Sequence, residues 1–465
     1  MSDFSCNVKE NIKRLETSLN VERNFDILQR EVIIAGRKAG FFFIDGFVRE
    51  DMAEKLMQFF YSLKESDITS LDIFLEKGMP YTEVTRSGNV DYVITQFLSG
   101  VSIMTIDGFD ECLLIDCRTY PMRSVSEPWK DRVLRGSRDG FVETLVSNAA
   151  LLRRRIRDPR FSMELYGVGR RSRSDVAICY ISDSVLNRMR KLIQSIDVDA
   201  LTMNIESLAE CMFTHKWINP FPKFKYSERP DTATAAILDG NIVIMVDNSP
   251  AVMIIPASIF DIIEEADDFN FSPMIGSYLR ITRFFFSIVT WILTPLWLLF
   301  VNNPDWVPEF MKFVLITDDI TVPVLLQLLI LELAVDGLKL AAVNTPTMLS
   351  TPLSIVAGIV VGEYAVSSGW FNPEALLYMA VVTVGTYGQT NFEMGYAFKF
   401  LRVLTLILTQ IFNLGGFIAG VVISVLMIAF NRTITGKSYI YPLIPWDGKM
   451  LKRKVLRVRL PHSYK

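Results

Sequence analysis

Histidine is almost missing from this 465-residue chain: His215 and His462 are the whole complement, and the five cysteines (Cys6, Cys112, Cys117, Cys179, Cys211) show no CxxC spacing. Those two scarcities argue against a zinc site and against a disulfide framework, and the thiols read as reduced core filler. There is no GxxxxGK[ST] phosphate loop, and "GVGRRS" has too few glycines for a dinucleotide fingerprint. His215 lacks the spacing of a catalytic base to a nucleophile. No catalytic residue, metal ligand or cofactor is therefore assigned, and an enzyme is not expected. The start, "MSDFSCNVKENIKRLE", has no apolar core after a basic stretch, so it is not read as a secretory signal and the first half is expected in the cytoplasm.

Charge is present but unevenly spread. Residues 1–280 hold 34 Lys/Arg and 41 Asp/Glu, while residues 281–446 hold 7 and 9. Half of all residues are hydrophobic, more than one soluble domain normally carries. The expected fold class is an α/β cytoplasmic region of two small α/β units followed by an α-helical multi-pass membrane domain. The ending "GKMLKRKVLRVRLPHSYK" has seven Lys/Arg and no acid. By the positive-inside bias it belongs on the cytoplasmic side. A nucleic-acid arm is the weaker reading, because the run directly follows membrane segments.

Residues 1–23 read as a tail and 24–118 as the first α/β unit. "REVIIAG" and "GFFFIDGF" form a hairpin across "GRKAG", with Gly36 and Gly40 supplying turn freedom, and a helix follows over "REDMAEKLMQFFYSLKES". Two more strands meet across "DGFDE". Residues 119–138 read as a linker and 139–279 as the second α/β unit. Its first helix ends in Arg153, Arg154, Arg155 and Arg157, read as a solvated helix end or as ion pairs with nearby acids rather than a phosphate site. Further on, Pro230 opens a short helix closed by Asp239-Gly240, two strands flank "DNSP", and Ser258 with Asp261 marks another helix start.

The membrane domain is expected over 280–446 and a basic cytoplasmic tail over 447–465. Spans are placed near 281–301, 353–370, 374–391 and 402–430, the last interrupted by "NLGGFIAG". Four spans return the tail to the cytoplasm, and so 322–343 is read as an amphipathic or re-entrant helix. That count leaves Lys399 and Arg402 outside. Glycine pairs at Gly358/Gly362 and Gly416/Gly420 have the spacing that lets helices approach closely.

Two features carry the candidate chemistry. Glu332, Asp336 and Lys339 fall within about 60° of one another around a helix, a polar stripe on an apolar segment. The stripe is either an ion path, an interfacial face in water, or an Asp336–Lys339 pair buried against neighbours. Glu363 stands alone inside a span. It either forms a ring of carboxylates when subunits surround an axis, or bonds to Tyr387, Gln389 or Asn391.

The longer motifs "RGSRDGFVETLVSNAALLRRRIRDP", "VGRRSRSDVAICYI", "NPFPKFKYSERPDTATAAILDGNIVIMVDNSPAVMIIPASIFDI" and "SYLRITRFF" resemble the A-subunit family of spore germinant receptors, the GerA family. The likeness runs from about Arg135 through "YIYPLIP" near 445. It implies a protein of the inner spore membrane that takes part in germination. It also implies self-association into an ion-conducting homo-oligomer beside another small membrane germination protein, within the lipid bilayer and with no nucleic-acid partner. A non-conducting scaffold for other germination proteins is the alternative.

Overall fold

The computed structural model describes residues 3–48, 50–77, 83–118, 133–181, 186–213, 219–344, 362, 364–389 and 391–458. The chain divides into two compact units, residues 1–214 with 224–256, and residues 215–223 with 257–465.

The first unit contains two antiparallel five-stranded sheets built to one plan. In the first, β1 (Ile27–Ile34), β2 (Arg37–Ile44), β3 (Val84–Ser87), β4 (Ser102–Ile106) and β5 (Cys112–Ile115) lie in the order β1-β2-β4-β5-β3. Helices α1 (Val8–Leu19), α2 (Glu50–Ser62), α3 (Leu71–Lys77) and α4 (Val90–Leu98) complete it. In the second, α5 is Leu145–Arg155, β6 Ser162–Val168, β7 Ser174–Tyr180, α6 Leu186–Gln194 and α7 Asn204–Met212. They are followed by β8 (Lys225–Ser227), α8 (Pro230–Leu238), β9 (Ile242–Val246) and β10 (Val252–Ile255). The order β6-β7-β9-β10-β8 repeats the first, as does the succession of helices and strands along the chain.

The repetition extends to side chains. Asn11 on α1 accepts from the Ser5 N–H (2.9 Å) and donates to the Ser5 carbonyl (2.6 Å). Asn148 on α5 does the same for Val142 (2.8 and 2.6 Å). The first N–H of α1, on Val8, donates to Asp107, and that of α5, on Leu145, donates to Asp247; both acids follow the matching strand. Each helix start thus has its orphan donor satisfied from a hairpin turn far along the chain.

Two expectations change here, and one open alternative is settled. Residues 1–23 are not a loose tail: Val8, Ile12, Leu15 and Leu19 recur on one side of α1 and fill the core against Phe42 and Ile103. The turn of the first hairpin rests on Ala35 and Gly36, both at positive φ, whereas Gly40 lies in β2, where a Cβ would meet Ile12 at 2.6 Å. The arginine cluster ending α5 resolves into ion pairs. Arg155 meets Asp139 at 3.1 Å, and Arg153 is fully buried at the seam between the two sheets. There Arg153 donates to both oxygens of Asp26 (2.9 Å each), to Asn24 (3.0 Å) and to the Phe161 carbonyl (3.0 Å). Asn24 also accepts from the Met163 N–H at 2.8 Å. Of the linker expected over 119–138, residues 119–132 lie outside the described residues.

The second unit is helical, and it begins earlier than 280. Helices α9 (Ile259–Ile263) and α10 (Asp267–Asn270) belong to it, with Ser258 and Asp261 forming the anticipated reciprocal cap on α9. The main helices are α11 (Pro273–Asn302), α12 (Val324–Asn344), α13 (Pro373–Tyr387) and α14 (Phe392–Ala429), followed by α15 (Gly448–Val455). Among the described residues, α11 and α14 are long and apolar enough to cross a membrane.

Two apolar clusters fix the direction of each helix. At the end near α9, Trp291 of α11 packs with Met394, Ala397 and Phe398 of early α14 and with Tyr439. At the far end, Trp297 and Leu298 pack with Val324 and Leu328 of early α12 and with Ala375 of early α13. α11 and the start of α14 therefore run away from α9, and α12 and α13 run back toward it.

The segment 402–430 was expected to be one interrupted span, and it is not. α14 folds back on itself at Asn413, whose φ of 51° and ψ of −130° leave the helical region. Its two arms lie antiparallel: Gly420 faces Thr405, where a Cβ would sit 2.8 Å from the threonine side chain, and a Cβ on Gly416 would fall on the Leu408 carbonyl. At the bend, Asn413 and Asn303, just past α11, exchange two amide hydrogen bonds of 2.6 and 2.9 Å. Because this segment goes out and back, the chain returns to the α9 end without requiring 322–343 to be re-entrant. The span placed at 353–370 lies mostly outside the described residues, with a single helical turn at Ala365–Ser367.

Candidate functional site

The charges singled out on 322–343 are answered by charges on α14. Antiparallel packing of α12 against the first arm of α14 sets Glu332 and Asp336, one turn apart, opposite Lys399 and Arg402, three residues apart. Arg402 donates its Nε to Glu332 (2.5 Å) and its Nη1 to the Thr290 carbonyl of α11 (2.5 Å). Lys399 pairs with Asp336, donates to the Glu332 carbonyl (3.2 Å) and lies 3.6 Å from the Glu332 carboxylate. Glu332 is 5% exposed and Arg402 2%. The acids thus face neighbouring helices, not open water, and the set joins α11, α12 and α14.

Lys339 does not pair with Asp336. Its ammonium lies over the rings of Tyr387 (4.9 Å) and Tyr396 (5.6 Å), where the π faces attract a cation. A small cavity of about 60 Å³ opens beside it, lined by Lys339, Thr386, Tyr387, Gln389, Tyr396 and Lys399. Glu363 and Gly358 lie outside the described residues, and Gly362 has nothing within 4 Å of where a Cβ would stand. Gly416 and Gly420 serve the intrachain bend described above. Gln389, offered as a partner for Glu363, exchanges hydrogen bonds with Ser287 (3.0 and 3.2 Å).

Sequence reasoning registered Lys399 and Arg402 only as a difficulty for topology. Their signal was available in the spacing: two cations isolated in an apolar run match two acids isolated in another. Chemically the four groups are two acids set against two bases, so their formal charges sum to zero. Among the described residues no cluster of His, Cys, Asp and Glu could hold a metal ion.

A second charged cluster sits at the base of α11. Asp268, with no exposed surface, accepts from Arg280 (3.0 Å) and from both terminal nitrogens of Arg283 (2.9 and 2.6 Å). Arg280 also reaches Glu264 (2.9 Å), and Arg283 reaches Glu265 (2.9 Å). Lys454 of α15 pairs with Asp261 and lies 3.7 Å from Glu264. Burial alone would raise the Asp261 carboxyl, but Lys454 and the Ser258 cap outweigh it and hold it below the usual carboxylate range.

The family described as "Bacillus/Clostridium GerA spore germination protein" matches residues 13–465. Stage V sporulation protein AF of Bacillus subtilis (strain 168) is 33% identical over 461 residues, covering 98% of this chain and 93% of that protein. Spore germination protein GerLA of Bacillus cereus is 26% identical over 469 residues, covering 98% and 94%. The crystal structure of the N-terminal domain of the A subunit of the Bacillus megaterium spore germinant receptor GerK3 aligns with a TM-score of 0.42 and 23% identity, over 55% of this chain and 96% of that one.

Proposed function

The chain belongs to the GerA family of spore germination proteins, and on that premise we propose that it is an inner-spore-membrane subunit of a homo-oligomer that passes monovalent cations during germination. The observation that carries this reading is the set Glu332, Asp336, Lys399 and Arg402, concentrated in helices otherwise nearly free of charge. Paired as they are, these groups form a closed arrangement. Asp336 and Lys399 are the more exposed partners, and their separation is the step that would open a charged path. Glu363, one per chain, is the ring candidate if subunits surround an axis. The N-terminal region and the basic tail are both placed in the cytoplasm, and a second small membrane protein completes the assembly.

The test is ion flux through liposomes carrying the full chain, alone and with its membrane partner. Asp336→Asn and Glu363→Gln should change cation flux or selectivity while the oligomer persists on sizing. No flux from any combination overturns the conducting role. A second reading, a non-conducting scaffold, is favoured by one observation: every member of the four-charge set is answered within the chain. On that reading no combination passes ions, and both substitutions weaken assembly instead.

A further inference from the structure

We propose that α15 and the turn before it form a binding platform for anionic phospholipid headgroups on the cytoplasmic face. This rests on the reading that α11 enters a bilayer.

The arginines at the mouth of α11 are committed elsewhere. Arg280 and Arg283 are taken up by Asp268, Glu264 and Glu265. Positive charge for a lipid surface must come from another element, and α15 is held in place to supply it. Arg280 donates to the carbonyls of Arg453 (3.1 Å) and Lys454 (3.3 Å), and the Arg457 N–H donates to Ser277 (3.0 Å). Lys454 anchors the inner side of the helix on Asp261. Lys449 and Lys452, three residues apart and so on one face, are exposed.

Depth decides the partner. No charge occurs between Arg283 and the end of α11, so the apolar run begins at Phe284. The anchor points Ser277 and Arg280 lie about 5–9 Å of helix before Arg283 at 1.5 Å per residue. The headgroup layer is about 5–8 Å thick on each face, so α15 is fixed at headgroup level. Apolar anchors stand at the same level. The turn Tyr441–Asp447 is tied by Asp447 N–H to the Pro442 carbonyl (2.9 Å) and by Tyr441 to the Asp447 carboxylate (3.2 Å). That closure leaves Ile444 58% and Trp446 71% exposed, and Tyr278 on α11 is 68% exposed. Exposed aromatics beside exposed lysines are the composition of a membrane interface.

The experiment reconstitutes the full chain in vesicles of phosphatidylcholine alone or with phosphatidylglycerol. It reads tryptic cleavage after Lys449 and Lys452, and the quenching of Trp446 by lipids brominated near the headgroup, taken as the difference between the wild type and Trp446→Phe. Phosphatidylglycerol should slow cleavage and deepen quenching. Lys449→Gln with Lys452→Gln should remove the phosphatidylglycerol-dependent deepening of Trp446 quenching, since each of the two lysines contributes about fivefold to the attraction of the platform for an anionic surface. Equal behaviour in both vesicle types, or an unchanged double variant, overturns the platform while α11 remains embedded. Release of the full chain by alkaline carbonate overturns the bilayer reading of α11, and the platform with it.

Discussion

The two sheets of the first unit share strand order, helix order and two hydrogen-bonding fixtures, yet they differ in what covers their faces. On the face carrying α1 and α4, or α5 and α8, the copies are interchangeable in design: a buried asparagine closes the entry loop and an aspartate caps the helix. On the opposite face they part. The first sheet buries Val32, Phe41 and Met104 under Leu56 and Phe60 of α2. The second ties α6 to β6 and β7 with a polar knot, in which Arg190, Tyr166 and Tyr180 all donate to Glu164. α6 buries Leu186, Met189 and Ile193 as well, so the difference is one of addition: the second sheet sets an ionic knot beside its apolar layer.

The seam is where the copies cease to be equivalent, so it should show the largest effect. Arg153→Ala leaves Asp26 buried without its partner and should cost about 3–5 kcal/mol, read as a lower midpoint in denaturant unfolding of the full chain. If it costs no more than a surface change, the two sheets are not joined by that pair.

Equivalence itself is tested next. Asn11→Ala and Asn148→Ala each strand a partly buried backbone N–H and C=O, and each should lose about 1–2 kcal/mol by the same unfolding measurement. A large loss from one and none from the other would break the symmetry. A compensating pair sharpens it. Where the first copy sets Ile12 against Gly40, the second places Ala149 and Ala177 in its core. Gly40→Ala should destabilise by about 1–3 kcal/mol through overpacking, and adding Ile12→Ala should recover part of that loss.

The smallest effect concerns the polar knot. Burial raises the Glu164 carboxyl, but hydrogen bonds from Arg190, Tyr180 and Tyr166 more than offset it and hold it at about 2, against 4.5 for an ordinary glutamate. A carboxylate depressed in the folded state stabilises above its unfolded value and loses that contribution as pH falls through the folded one. The wild type should therefore lose stability from about pH 4.5 toward pH 2, and Glu164→Gln should flatten that part of the profile. An unchanged slope would remove the knot from the account.

Much of this was legible in the chain. Strand–turn–strand signals placed β4, β5, β9 and β10, and Pro230, Ser258 and Asp261 marked their helices. That the two sheets of the first unit are copies was not legible, because identity survives at a few polar positions such as Asn11/Asn148 and Asp107/Asp247 while the cores exchange Ile, Val, Met and Leu freely. The interruption at Asn413 was visible, but not that the chain folds back there: both arms are apolar, so hydropathy does not tell a bend within one span from a reversal. The stripe on α12 was visible, but its partners sit more than sixty residues away, and periodicity reports only what one helix does.

The bend has a consequence for how the protein would be seen by a reagent that cannot cross a bilayer. A thiol introduced at Asn413 or Lys312 would be labelled from the compartment that α11 reaches. One at Lys437 or Lys449 would be labelled from the opposite side, the end of the helices at which α9 and α15 lie. Since the chain goes out and back within α14, two reporters only a few dozen residues apart answer to opposite solutions.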